Sequence, residues 1–169
     1  LLCTGVTAAT GSSKLEAIRV LGILEGDESG NLNLSSQVTR AQFATMMAAA
    51  SPYQGSVSSY GGSLFKDVKS GHWASGYIRL AVEQGWMSGY VDGTFRPDQA
   101  ITLEEGCTAL LRLLGYDASS LTGSYPAAQL SKADSLGLLD DVSAAQGSKL
   151  TRQNCVDLFY NALVAQTST

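Results

Sequence analysis

A glycine-and-threonine frame that recurs along the chain constrains its fold more than any other feature. Its best copy runs Gly85-Trp86-Met87-Ser88-Gly89-Tyr90-Val91-Asp92-Gly93-Thr94-Phe95-Arg96-Pro97-Asp98 and on through Ile101 to Thr102. Shifted back by 63 residues without a gap, Gly85 falls on Gly22, Gly89 on Gly26 and Gly93 on Gly30. Phe95 falls on Leu32, Ile101 on Val38 and Thr102 on Thr39. A third copy joins Gly137 to Thr151, with three residues deleted from its loop. Self-similarity at a fixed period marks an array of small units that must pack together, because none buries its apolar faces alone.

Each frame links two stretches with helical periodicity. Residues 14–24 place Leu15, Ile18, Leu21 and Leu24 at three-residue steps, with Ser12 or Ser13 as the cap. Residues 39–50 present Phe43, Met46, Met47 and Ala50 before Ser51-Pro52 ends the helix, and residues 72–84 turn Ile78, Ala81 and Val82 inward. From Thr102, the residues Leu103, Cys107, Leu110, Leu111 and Leu114 make one stripe that Gly115 stops. Pro126 suits the first turn of a fifth helix to Leu136, and residues 151–165 bury Cys155, Leu158, Phe159 and Ala162. No strand of convincing length appears.

The expected fold is all-α, with three helix-loop-helix repeats packed around a pseudo-threefold central three-helix bundle and grooves where units meet. Residues 1–169 form a single module: repeat one at about 12–50, a Gly, Ser and Tyr linker at about 51–63, repeat two at about 64–115 and repeat three at about 124–166. The start, Leu1 to Ala9, is mildly apolar without a basic flank, as in the tail of an export signal, and reads as a fragment of a longer protein.

Composition narrows the function. Charged residues make up 15% of the chain and the net charge is −4, which argues against nucleic acid as a partner. The three cysteines close no disulfide framework, and no apolar run approaches the ~20 residues of a membrane span. A single histidine, His72, offers no pair for a metal and reads as structural beside Trp73. Asp27-Glu28-Ser29-Gly30-Asn31 lacks the glycine and glutamate of a calcium loop, with Leu32 and Val38 at those places. Nothing reads as catalytic machinery, and no cofactor is expected.

The recurring threonines Thr39, Thr102 and Thr151 read as helix caps. Gln42 and Glu105 complete capping boxes in the first two, and Asn154 is a poorer partner in the third. The caps leave Arg40 and Arg152 unexplained, because arginine in a first turn faces the positive end of the helix dipole. A salt bridge or packing stem accounts for them on one side, and contact with an anion or a sugar beside a groove on the other.

The middle unit, with Phe65-Lys66-Asp67-Val68, His72-Trp73-Ala74, the frame itself and Ile101-Thr102, closely resembles the S-layer homology (SLH) repeat. The first unit is similar from about Leu15 to Met47, and the third more weakly from Pro126 to Phe159. The resemblance implies a non-enzymatic cell-wall anchoring module of exported bacterial surface proteins, fused to a further domain. Its inter-repeat grooves would bind secondary cell-wall polysaccharide, in some members through a pyruvylated amino sugar. By the same resemblance the ligand-binding residues are Asp67, Trp73, Gly89, Arg40 and Arg152, with Arg40 and Trp73 dispensable for stability. Leu103 stands where the middle unit should carry arginine, and Tyr125 stands in for part of the third unit's opening aromatic. The competing expectation is a degenerate module that serves as a structural or protein-interaction domain without glycan binding.

Overall fold

A computed structural model describes residues 10–58 and 62–165. The start at 1–9, read above as a possible export-signal tail, lies outside the described residues, as do 59–61 of the linker. The described residues form an all-α protein. Its helices are α1 (Gly11–Val20), α2 (Arg40–Ala50), α3 (Ser75–Glu83), α4 (Leu103–Leu113), α5 (Ala127–Ser135) and α6 (Arg152–Val164). A short 3-10 turn, Ala118–Ser120, sits in the loop before α5. Among these helices none is long and apolar enough to cross a membrane.

The helix boundaries follow local chemistry. Thr39, Thr102 and Thr151 are the N-caps of α2, α4 and α6, each threonine oxygen accepting from the amide three residues on. Reciprocal boxes form at Thr39 with Gln42 and at Thr151 with Asn154, but not at Thr102. This reverses the expected order of the second and third units. Glu105 is drawn away to a guanidinium in a neighbouring unit, while Asn154 Oδ1 reaches the Thr151 amide at 2.9 Å. The α1 cap is Thr10 rather than Ser12 or Ser13. The helix also ends early, because Gly22, with φ of 72°, takes the left-handed conformation that closes a helix. Gly85 and Gly137 do the same at φ of 75° and 78°. Leu21, the residue that caps the end of α1, is exposed, and Leu24, beyond the turn at Gly22 where the three-residue rhythm no longer applies, is buried.

The units interlock. The buried residue before each capping threonine donates its amide to the next in a closed ring. Val38 donates to the Leu150 carbonyl at 2.9 Å, Leu150 to Ile101 at 2.9 Å, and Ile101 to Val38 at 3.0 Å. Two residues further on, Arg40, Leu103 and Arg152 donate their amides to Gln99, Ser148 and Ser36, which run round the units in the opposite sense. Beneath the ring α4 packs on both α2 and α6, and Phe43 of α2 meets Phe159 of α6 at 5.2 Å between ring centroids. Gly106 of α4 admits this contact, since a Cβ there would stand 2.7 Å from a Leu150 methyl and 3.4 Å from the Phe43 ring.

The outer helices do not pack chiefly on their own unit's second helix. In the main contacts α3 lies on α2, α5 on α4 and α1 on α6, so each unit lends its first helix to the one before it. The described part of the linker is packed as well. Gln54 donates to the Leu21 carbonyl at 2.8 Å, and a Cβ on Gly76 of α3 would collide with the Ser58 backbone.

Candidate functional site

The interlocking places each first-turn arginine against the loop of the following unit. Arg40 Nε donates to the Phe95 carbonyl at 2.9 Å and Nη2 to the Ser88 carbonyl at 2.7 Å, while Nη1 pairs with Glu105 at 2.8 Å. The guanidinium also lies 4.6 Å from the Phe95 ring centroid and 5.0 Å from that of Tyr90. Arg40 is only 5% exposed. The carbonyl and carboxylate oxygens supply the negative potential that its place at a helix start lacks.

Arg152 repeats the pattern one unit round. Its Nε donates to the Leu32 carbonyl at 2.7 Å and its Nη2 to the Glu25 carbonyl, the counterparts of Phe95 and Ser88. The counterpart of Glu105 is Gln42, whose amide oxygen is held by the Thr39 amide. Among the described residues no carboxylate lies within ion-pair distance of Arg152, which is partly exposed.

The third interface is built differently. Leu103, at the arginine position, is buried. The Asp140 carbonyl, in the place of Ser88 and Glu25, accepts from Asn161 Nδ2 at 2.8 Å, and Leu138 accepts from the same nitrogen at 2.9 Å. Lys14 fills the remaining space. It pairs with Asp141 at 2.6 Å and lies 5.5 Å from the Tyr160 ring centroid. That hydrogen bond holds the Lys14 ammonium pKa above its ordinary value against the cost of burial.

Two grooves follow from this geometry. The first, of about 440 Å³, runs between Ile23–Glu25, the α2 face carrying Gln42, Thr45 and Ala49, Arg152, and Trp73 with Tyr77 from the second unit. The second, of about 270 Å³, is its counterpart one unit on, lined by Trp86–Ser88, Glu105, Thr108, Arg112, Arg40 and Tyr125. Each has an exposed aromatic at its edge, with Trp73 60% and Tyr125 57% exposed.

The structure therefore gathers Trp73 and Arg152 in the first groove and places Arg40 in the second, beside the backbone on either side of Gly89. Gly89 itself is a close-packing position, where a Cβ would collide with the Phe65 ring. Asp67 holds the far end of the same loop. Its carboxylate accepts from the amides of Phe95 at 2.9 Å and Arg96 at 2.8 Å, Arg96 having φ of 58°. His72 accepts the Ala74 amide at 3.1 Å and stacks beside Trp73 at 5.8 Å. Cys107 and Cys155 are buried, and desolvation pushes the Cys107 thiol up to about 12. Asp27 accepts from the Ser29 and Asn31 amides and the Asn33 side chain, which occupy its carboxylate. Sequence reasoning missed Lys14, Asn161, Arg112 and the Arg40–Glu105 pair. The last two leave a trace in the 63-residue alignment, where Glu105 falls on Gln42 and Arg112 on Ala49.

Helical units joined through their loops thus leave grooves between neighbours, and among the described residues no group of three or more His, Cys, Asp or Glu side chains could hold a metal ion. Residues 64–105 match the S-layer homology domain. Among its relatives is the "Middle cell wall protein" of Brevibacillus brevis, 29% identical over 150 residues, covering 88% of this chain and 14% of that protein. The "Surface layer protein" of Brevibacillus choshinensis is 28% identical over 130 residues, 76% of this chain and 12% of that protein. The "Cellulosome-anchoring protein" of Acetivibrio thermocellus is 37% identical over 95 residues, 54% of this chain and 21% of that protein. The chain thus spans about a fifth or less of the length of these relatives.

Proposed function

We propose that this is a cell-surface module that holds a larger exported bacterial protein to the cell wall without covalent linkage or catalysis. It does so by binding wall polysaccharide in its inter-unit grooves, a pyruvylated sugar being one form that suits an arginine. The observation that carries this reading is the first groove, where Trp73 stands exposed and Arg152 has hydrogen bonds but, among the described residues, no carboxylate within ion-pair distance. A flat indole can stack on a sugar ring, and a guanidinium can hold a carboxylate through two parallel hydrogen bonds. The S-layer homology match and the names of the wall, surface-layer and anchoring relatives support the setting. In this reading Asp67 and Gly89 act by holding the loop that shapes the second groove, and Arg40 by fixing that loop to α2.

Trp73→Ala tests the reading. It should weaken binding to purified wall polysaccharide by about tenfold or more, as loss of an anchoring aromatic does. The melting temperature should stay within about 2 °C, because an exposed side chain contributes little to stability. Unchanged affinity in a titration calorimeter would remove the first groove from the mechanism. The filling of the third interface by Lys14, Asn161 and Leu103 favours a second reading, a module that has lost glycan binding and presents a fused partner. That reading expects no affinity for the polysaccharide in either protein.

A further inference from the structure

We propose that in the second groove the contact for an anionic sugar has moved from Arg40 to Arg112, with Tyr125 as the aromatic platform beside it. This rests on the glycan-binding reading of the grooves. Arg40 is buried, and its three guanidinium nitrogens already serve Phe95, Ser88 and Glu105. An incoming carboxylate would have to displace Glu105, a partner already ordered at 2.8 Å.

Arg112 is the other cation lining that groove. It lies on the same face of α4 as Glu105 and Thr108, seven and four residues before it, and is partly exposed. Among the described residues its guanidinium has no carboxylate within ion-pair distance. Its field reaches Tyr125. Burial raises the pKa of that hydroxyl, Glu105 and Glu104 add to the rise, and Arg112 acts against it.

The three units diverge at this position. The counterpart of Arg112 is Ala49 in the first groove and Asn161 in the third interface, where the amide is spent on the Leu138 and Asp140 carbonyls. Each open groove thus keeps one guanidinium without a carboxylate partner, from a helix start in the first and from the body of α4 in the second. The two grooves offer their positive charge from different walls, so an acidic sugar sits differently in each.

The test uses the whole chain, NMR of arginine side-chain Nε–H groups and backbone amides, and two probes, sodium acetate and methyl β-D-glucuronide, at constant ionic strength. Acetate should shift Arg112 and Arg152 and leave Arg40 in place. Arg112→Gln should reduce the response of the Ser88 and Tyr90 amides by about tenfold in apparent affinity, with the Arg152 response unchanged. A shift at Arg40 with Arg112 silent would overturn the assignment. So would second-groove amides that respond equally in Arg112→Gln, or silence of both Arg112 and Arg152. If acetate behaves as expected but the glucuronide binds no better than acetate, the Arg112 assignment stands and sugar recognition in that groove falls.

Discussion

Arg40→Ala is expected to destabilise the protein by about 3 kcal/mol, since breaking a buried charge pair strands its partners. The substitution removes donors from the Phe95 and Ser88 carbonyls and leaves Glu105, whose side chain is 23% exposed, without its cation. In a chain of this size the melting temperature should fall by about 6–12 °C. Arg40→Lys should recover little, because an ammonium cannot reach three acceptors spread around a planar fork. Urea unfolding followed by circular dichroism measures the loss, and a change below about 1 kcal/mol would show that Arg40 is not what fixes the loop. The sequence reading treats Arg40 as dispensable for stability. The structure argues against that expectation, and its grounds are not local, because the three partners lie 48, 55 and 65 residues away.

The second large effect belongs to Phe43. It is fully buried, meets Phe159 of α6 and lies over Gly106 of α4, so α2, α4 and α6 converge on its ring. Phe43→Ala should cost about 4 kcal/mol through lost transfer energy and the cavity left behind. The helices around it are tied by the Val38–Leu150–Ile101 ring and collapse poorly into the gap. Phe43→Leu, which keeps most of the volume, should cost well under half of that. Denaturant midpoints of the two variants give the comparison. Equal, small losses would move the centre of the core elsewhere.

Much of the fold was legible because its signals are local. Glycine at 22, 85 and 137 and threonine at 39, 102 and 151 mark helix ends and starts by backbone conformation and capping, which act within a few residues. The Leu103-to-Leu114 stripe gives the buried face of α4 correctly, and all five of its residues are buried. Periodicity shows which face of a helix is apolar but not which helix it will meet. The packing of α3 on α2, α5 on α4 and α1 on α6 was therefore not readable. The same limit hid the roles of Lys14 and Asn161. On a helical wheel both are ordinary polar residues, and only closure of the ring makes them the filling of the third interface. The candidate site was half legible. Trp73 and Arg152 do line one groove, whereas Asp67 and Gly89, which the family resemblance implies as ligand contacts, lie against Phe95, Arg96 and Phe65 through contacts that no local pattern reveals.

Co-sedimentation of the purified chain with bacterial cell walls, intact and after chemical removal of their secondary polysaccharide, tests the central claim most directly. The account predicts that the chain pellets with intact walls and stays in solution with stripped ones. Equal pelleting with both preparations, or with neither, would contradict it.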